Sequence, residues 1–286
     1  MNIFNPKILE GKNFNSIMNF AESLKSKDLE GMINAHKVYN LTLDQIDKSF
    51  SNNDSHLRGL LNHSIWDIEK KLGWHNLYLS QAGQDKIIYD VFFRKYDPNG
   101  FFVDIGAYDG IEGSNTYFFE KKLNWNGILI EPSRTQFSKL KNNRSNKCIN
   151  TAVSNEKETL EFIDVVEGYS QMSGLNQEYF RENYKLISSD IYSDTESYNI
   201  ETSKFSDLIQ EKNIDYLSID IEGGELKLLK SIDFNFYKIK VLSVENNKPN
   251  EIIYHDILAK EGFVFFDYYG ADEIYFNPNN LNEKVV

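Results

Sequence analysis

Cysteine is almost missing from this chain: Cys148 is the single one. That excludes a disulfide framework and any cysteine-rich metal site. Basic residues are also in short supply, with 31 Lys and Arg against 43 Asp and Glu and a net charge of −12. A protein that grips a phosphate backbone or an anionic membrane needs a basic face, so a nucleic-acid partner is not expected. No run approaches the roughly 20 apolar residues of a membrane span. The first residues, MNIFNPKILEGKNF, hold no apolar core of a signal peptide. The expected location is therefore the cytoplasm. No internal repeat or low-complexity stretch is visible. What the chain does have is apolar mass: 41% of its 286 residues are hydrophobic, including 20 Phe and 17 Tyr, enough for a sizeable core.

The pattern divides near residue 76. Before it, apolar residues recur at helical spacing: Phe14, Ile17, Met18, Ala21 and Leu24, then Leu57, Leu60, Leu61, Ile65, Ile68 and Leu72. Ser51-Asn52-Asn53-Asp54 reads as a polar break. Residues 1–76 are expected to form two to four helices, acting as a cap or as an oligomerisation surface for a homo-oligomer.

After it, strands alternate with helices. The spacing predicts a helix over Asp85–Lys95, strands at Phe101–Ile105 and Gly127–Ile130, a helix opening at Ser114-Asn115-Thr116, and another from Ser133 to about Asn142. Cys148–Val153 reads as a third strand and Glu158–Val165 as an antiparallel one. Residues 167–200 are polar and read as a long insertion. A helix near Lys204–Glu211 and the strand Tyr216–Ile221 follow, then the helix Gly224–Ser231 and the strand Val241–Val244. The helix Glu251–Glu261 and two closing strands, Phe263–Tyr268 and Glu273–Phe276, complete the chain. The alternation predicts an α/β fold with a mostly parallel sheet wound on both faces and an antiparallel edge hairpin.

The most informative stretch is Phe101–Gly110, FFVDIGAYDG, followed one helix later by Gly127–Pro132, GILIEP. A strand breaking into a glycine loop lets backbone approach a ligand closely. An acid at the tip of the next strand, Glu131, suits a ribose diol. The loop is not the G-x-G-x-x-G of dinucleotide sites, since Tyr108 stands two residues after Gly106. Its two carboxylates, Asp104 and Asp109, would repel a pyrophosphate and favour the cationic end of S-adenosylmethionine. A plain strand-turn-helix, with Asp109-Gly110 as turn chemistry, is the alternative.

Six ordered motifs resemble the FkbM-type methyltransferases: Ser80–Asp85 (SQAGQD), Phe102–Ala107 (FVDIGA) with Asp109-Gly110, Ser114–Thr116 (SNT), Trp125–Pro132 (WNGILIEP), Ala152–Ser154 (AVS) and Leu217–Glu225 (LSIDIEGGE). The resemblance covers roughly Ser80–Phe276; the family usually has alanine where Gly224 stands. It implies a Rossmann-like class I methyltransferase with a seven-stranded sheet over residues 77–286, dependence on S-adenosylmethionine, and most often O-methylation of a sugar or similar hydroxyl. The acceptor is then a small molecule or glycan. An amine, carboxylate or protein side chain is an alternative acceptor, and a non-catalytic binding protein on the same fold is a third reading.

On that picture the cofactor residues are Asp104, Gly106 and Asp109 in the loop, Asn115 and Thr116 at a helix start, Glu131 on the ribose, and Ala152 and Val153 beside adenine, with Asn150 reading its edge. Gln81, Gln84 and Asp85 close one side. Asp220 ends the fourth strand, and Glu245-Asn246 the fifth. These strand tips point to Asp220, Glu245 and Glu222 as catalytic groups, with Asp220 as base. Alternatively, Asp220, Glu245 and Asn246 hold a hard cation such as Mg²⁺. Glu225 reads as a favourable charge in a first helical turn. His255 reads as a solvated helical histidine, and His36, His56, His63 and His75 follow no metal-ligand spacing. Tyr169, Ser170 and Ser173 are candidates for holding a sugar.

Overall fold

A computed structural model describes residues 13–46, 55–94, 99–175, 190, 192–247 and 252–281. The polar break at 51–54 and residues 176–189 and 191 of the insertion lie outside the described residues. Three helices open the chain: α1 (Phe14–Lys25), α2 (Leu29–Leu43) and α3 (Ser55–Lys71). Asn13 and Asp28 cap the first two, each side chain accepting from the N–H three residues on. Their apolar stripes meet in a small core of Ile17, Ala21, Ala35, Val38, Tyr39, Leu61 and Ile68.

The main sheet is built from β1 (Phe101–Ile105), β2 (Asn126–Ile130), β3 (Lys147–Ile149), β8 (Asn213–Ile219), β9 (Lys238–Glu245), β10 (Val264–Tyr269) and β11 (Asp272–Phe276). Its order is β10-β11-β9-β8-β1-β2-β3, parallel from β9 through β3, with β11 antiparallel to both its neighbours. The strands are buried on both faces, as their near-continuous apolar sequences require. Between them run α4 (Gln84–Ile88), continued by a π-helical turn over Tyr89–Phe93, then α5 (Tyr117–Leu123) and α6 (Arg134–Asn143). Later come α7 (Phe205–Leu208), α8 (Glu225–Ser231) and α9 (Ile253–Lys260). The strand order reverses between β1 and β8, so a crevice opens at their carboxyl ends.

Two sequence expectations need correction. Cys148–Val153 is not one strand: β3 ends at Ile149, and Ala152–Ser154 forms β4 in a second sheet. That second sheet also contains β5 (Thr159–Glu167), β6 (Gly174–Leu175) and β7 (Asp194–Lys204), in the order β4-β7-β5-β6. The polar stretch 167–200 is therefore partly strand. β7 pairs with β5 along almost its whole length.

The helical extension docks on the edge of the main sheet. Arg58 pairs with Asp267 of β10 through two bonds of 2.6 and 2.7 Å, and its third nitrogen donates to the carbonyls of Leu43 and Ile46. Asn62 Nδ2 donates to Tyr268 O at 2.5 Å, and Gly270 N–H donates to Gly59 O at 3.1 Å. A Cβ on Gly59 would lie 2.1 Å from that Gly270 carbonyl, so only glycine admits this approach. Breaking so buried an ion pair from one side usually costs about 3–5 kcal/mol, because the remaining charge is stranded. The extension thereby covers a sheet edge that would otherwise be open to pairing.

Candidate active site

A cleft of about 500 Å³ lies over the carboxyl ends of β1, β2, β8 and β9. Asp104, Gly106, Tyr108, Glu131, Asp220, Glu222, Glu245 and Asn246 line it, with Gln81, Gln84, Asn115 and Asp272 on one side. Its mouth is formed by Leu60 and His63 of α3 and by Ser170–Ser173 of the insertion.

The bend after β1 is set by one glycine. Gly106 has φ +88°, and a Cβ there would stand 1.6 Å from the carbonyl oxygen of Asp220. Its N–H donates to Ile130 O at 2.9 Å, while Asp220 N–H donates to Ile105 O at 2.9 Å. The three strand ends are thus laced together at the crevice. Tyr108 follows with φ +49°, in the left-handed region. Its N–H is held by Glu131 Oε2 at 2.8 Å and its hydroxyl meets Ser170 Oγ at 2.6 Å. Glu131 Oε1 accepts from Ser133 N–H at 2.7 Å. Burial pushes the Glu131 carboxyl up to about 7 despite these two donors.

Behind the cleft sits a buried network. Thr116 Oγ1 donates to Asp104 at 2.5 Å and accepts from Arg144 at 3.0 Å. Arg144 also donates to Glu120 at 2.8 Å, to Ser114 Oγ at 3.2 Å and to the Gly110 carbonyl at 3.1 Å. Burial raises the Asp104 pKa against the opposing pull of Thr116 and Arg144. Burial also opposes ionisation of Glu120, yet Arg144 and the Ser145 N–H bring it down to about 2.

Several predicted site residues take other work. Asp85 is wholly buried off the cleft, accepting from Leu79 N, Ser80 N, Ser80 Oγ and Lys86 N. Asp109 accepts from Ile111 and Glu112 N–H at 2.8 Å, which is turn chemistry, and it does not line the cleft. Thr116 faces Asp104 from behind, and the first-turn N–H groups of Thr116 and Tyr117 are taken by Ser114 Oγ. The cleft instead receives Asn115, whose Oδ1 is buried without a hydrogen-bond partner. Asn150 gives its amide to the carbonyls of Glu131 and Pro132. Asn246 gives its amide to Glu273 at 2.7 Å, although it lines the cleft. Tyr169 and His255 lie outside the lining, while Ser170 and Ser173 belong to it. Glu225 accepts from Ile221 and Gly223 N–H and so fastens the turn before α8. A Cβ on Gly224 would meet Ile221 Cδ1 at 2.8 Å, the end of a flexible side chain that could yield. Ala152 and Val153 border a narrow apolar slot that shares Gly106 and Glu222 with the main cleft.

The floor of the cleft is acidic. Carboxylate oxygens of Asp220, Glu222 and Glu245 lie within 4.8 Å of one another. These are the three residues that the sequence points to as catalytic; in the metal grouping expected from the sequence, Glu222 stands in place of Asn246. Glu222 itself has φ +55°, and Gly223 beside it φ +115°, a turn held in a sparsely populated conformation. Burial first, then repulsion from neighbouring carboxylates, lifts Asp220 and Glu245 well above the ordinary carboxylate range. Burial, then repulsion from Glu225, lifts Glu222 to about 7. Asp272, beside them, accepts from Gln84 at 3.0 Å and Asn115 at 3.3 Å. Burial still lifts it to about 6.

These shifts fix the sign of a stability effect. Unfolded carboxylates titrate near about 4. Glu131, Glu222 and Glu273 at about 7, with Asp85 and Asp272 at about 6, keep protons in the folded state that the unfolded chain has lost. Stability must then fall as pH rises from about 4 to about 7. Glu120 works in the opposite direction, but only below about 4. A thermal melt is expected to give a higher midpoint at pH 5 than at pH 8. A midpoint that climbs across that range contradicts the assignment.

Sequence reasoning sets His63 aside with the other histidines of the extension and does not name Gln171, Asp272 or Arg144. His63 and Gln171 reach the cleft only through tertiary docking. Arg144 sits in a polar stretch, NNRSN, that carries no motif.

The Methyltransferase FkbM domain matches residues 104–265, more than half of the chain. Among solved structures, the FkbM methyltransferase from Methylobacillus flagellatus KT aligns over 85% of this chain at 14% identity and a TM-score of 0.44. The alignment spans 59% of that protein's length. The N-terminal domain of human METTL16 aligns over 97% of both chains at 11% identity and a TM-score of 0.38. No curated protein matches the chain.

Proposed function

The chain belongs to the FkbM methyltransferase family, and from that premise we propose that it transfers a methyl group from S-adenosylmethionine to a hydroxyl of a sugar or glycan. The observation that carries this reading is the pairing of a glycine-only bend at Gly106 with a carboxylate, Glu131, on the adjacent strand tip. S-adenosylmethionine supplies a methyl already activated on a sulfonium, so alignment and a proton acceptor are what remain for the protein. Glu131 holds the ribose, Ala152 and Val153 pack beside adenine, and Asp104 and Asn115 face the methionine end. At the acceptor end, Asp220 takes the hydroxyl proton. The freed oxygen bonds to the methyl carbon as the carbon–sulfur bond breaks, and that electron pair stays on sulfur.

Titration calorimetry with S-adenosylhomocysteine tests the donor site. Wild-type protein should bind it, and Glu131→Gln should bind on the order of 10- to 100-fold more weakly, the worth of a charged hydrogen bond. Equal affinity in the two proteins contradicts the assignment of Glu131.

Mg²⁺ is a second occupant for the floor, since three carboxylate oxygens within 4.8 Å could serve a hard cation. A carboxylate base without a metal is the reading favoured here, because the donor methyl is already activated on sulfur and the acceptor step needs only alignment and a proton acceptor. Turnover is expected to survive exhaustive chelation; loss on chelation and recovery with Mg²⁺ would move the role of the trio to metal binding. An amine, carboxylate or protein side chain as acceptor is the alternative reading of the same cleft. Residues 1–76 serve in this account as a cap, with His63 and Leu60 at the cleft mouth.

A further inference from the structure

Arg144 stands just past α6, with its side chain wholly shielded from solvent, and it does not line the cleft. A buried guanidinium is costly, and one carboxylate is enough to neutralise it. Glu120 of α5 does that at 2.8 Å. The other two nitrogens turn elsewhere. Nη1 donates to the Gly110 carbonyl at 3.1 Å and to Ser114 Oγ at 3.2 Å, and Nη2 donates to Thr116 Oγ1 at 3.0 Å. All three acceptors belong to the segment between Asp104 and α5, the same segment that brings Gly106, Tyr108 and Asn115 to the cleft. The approach is close: Gly110 has φ +80°, and a Cβ on it would stand 2.6 Å from Arg144 Cγ.

A guanidinium can only donate, so Thr116 Oγ1 accepts from Arg144 and gives its single proton to Asp104 Oδ2, 2.5 Å away. The direction of the chain is thereby fixed, and the charge at its head strengthens each link. Asp104 lines the cleft, and its second oxygen takes no bond among the described residues. We infer that Arg144 is a positioning residue for the methyl donor: acting through Thr116, it holds one oxygen of Asp104 against the back wall and leaves the other for the ammonium at the methionine end. The inference rests on the methyltransfer reading and adds to it a relay, Arg144 and Thr116, that does not line the cleft. Burial opposes the ionised form of Asp104, and Thr116 and then Arg144 favour it, so breaking the relay weakens Asp104 as a partner for a cation. The adenosine half is held independently, because Glu131 has its own donors in the N–H groups of Tyr108 and Ser133.

Titration calorimetry of the full-length protein with two ligands tests the relay. S-adenosylhomocysteine carries the amino-acid end; 5′-methylthioadenosine keeps the adenosine and the thioether and lacks that end. Thr116→Val removes the hydroxyl at nearly constant volume and leaves the pair of Arg144 with Glu120 in place. It should weaken S-adenosylhomocysteine about tenfold or more, the worth of a charged hydrogen bond, and leave the affinity for 5′-methylthioadenosine unchanged. Thr116→Ser keeps the hydroxyl and should restore S-adenosylhomocysteine binding. Arg144→Lys loses the fork that reaches Glu120 and Thr116 together and should show the same split between the two ligands; it takes the place of Thr116→Val if circular dichroism finds that variant unfolded. Undiminished S-adenosylhomocysteine affinity in Thr116→Val overturns the inference. So does an equal loss for both ligands, which marks a plain structural role, or Thr116→Ser binding as weakly as Thr116→Val. A wild-type protein that binds neither ligand counts against the donor site instead, so the two failures are separable.

Discussion

Replacing Asp220 by Asn should lower methyl transfer by about two to four powers of ten, the range seen when a positioned proton acceptor is removed, and leave S-adenosylhomocysteine affinity nearly unchanged. Asp220 sits at the tip of β8, with its backbone tied to β1 and its side chain facing Glu222 and Glu245. Asparagine keeps the volume and removes the charge. Turnover should be scored on an acceptor that the wild-type protein methylates. The same change should raise the melting temperature, because it relieves repulsion among three crowded carboxylates. Lower stability, or lost affinity for S-adenosylhomocysteine with turnover intact, contradicts the role. The pH profile offers a companion reading. The trio titrates as a unit, with Glu222 at about 7 and the other two raised, so activity should climb with pH through the neutral range.

Gly106→Ala should abolish measurable S-adenosylhomocysteine binding. Alanine at φ +88° is already strained. The larger effect is steric, since its Cβ would fall 1.6 Å from the Asp220 carbonyl, which is backbone and cannot swing aside. The carboxyl ends of β1 and β8 would have to part, and Glu131 would lose its fixed relation to the bend. Circular dichroism on the same samples separates a displaced site from an unfolded one. A folded variant with wild-type affinity contradicts the close approach. Gly224→Ala serves as the contrast: its new Cβ meets only a movable Ile221 methyl, and affinity should hold.

Much of this site was legible in the chain, and the illegible parts share a cause. β1 and β2 announce themselves as apolar runs buried on both faces, and Gly106 and Glu131 follow at their tips. β7 is hidden because its residues, DTESYNIETSK, are mostly polar and exposed; it is held by pairing with β5 and β4 and has little apolar signal of its own. The break after β3 is equally non-local. Thr151 Oγ1 bonds to Ser203 and to the Glu201 carbonyl, which turns the chain into the second sheet. Asp85, Asp109 and Thr116 look like ligands in sequence because acids and hydroxyls serve cofactors and backbone alike. Only geometry separates the uses: Asp85 and Asp109 hold their own turns, and Thr116 holds Asp104. The acidic floor was legible: Asp220, Glu222 and Glu245 stand at or just past strand tips in the sequence, and the structure brings their carboxylates together. The left-handed turn that carries Glu222 there is what spacing alone does not reveal.

The central claim is that Glu131 and the Gly106 bend form the donor site. A crystal structure with S-adenosylhomocysteine bound tests it most directly. The account predicts both ribose hydroxyls on the Glu131 carboxylate, adenine against Ala152 and Val153, and the sulfur directed toward Asp220. Density for the ligand elsewhere, with Glu131 still holding only the N–H groups of Tyr108 and Ser133, would contradict it.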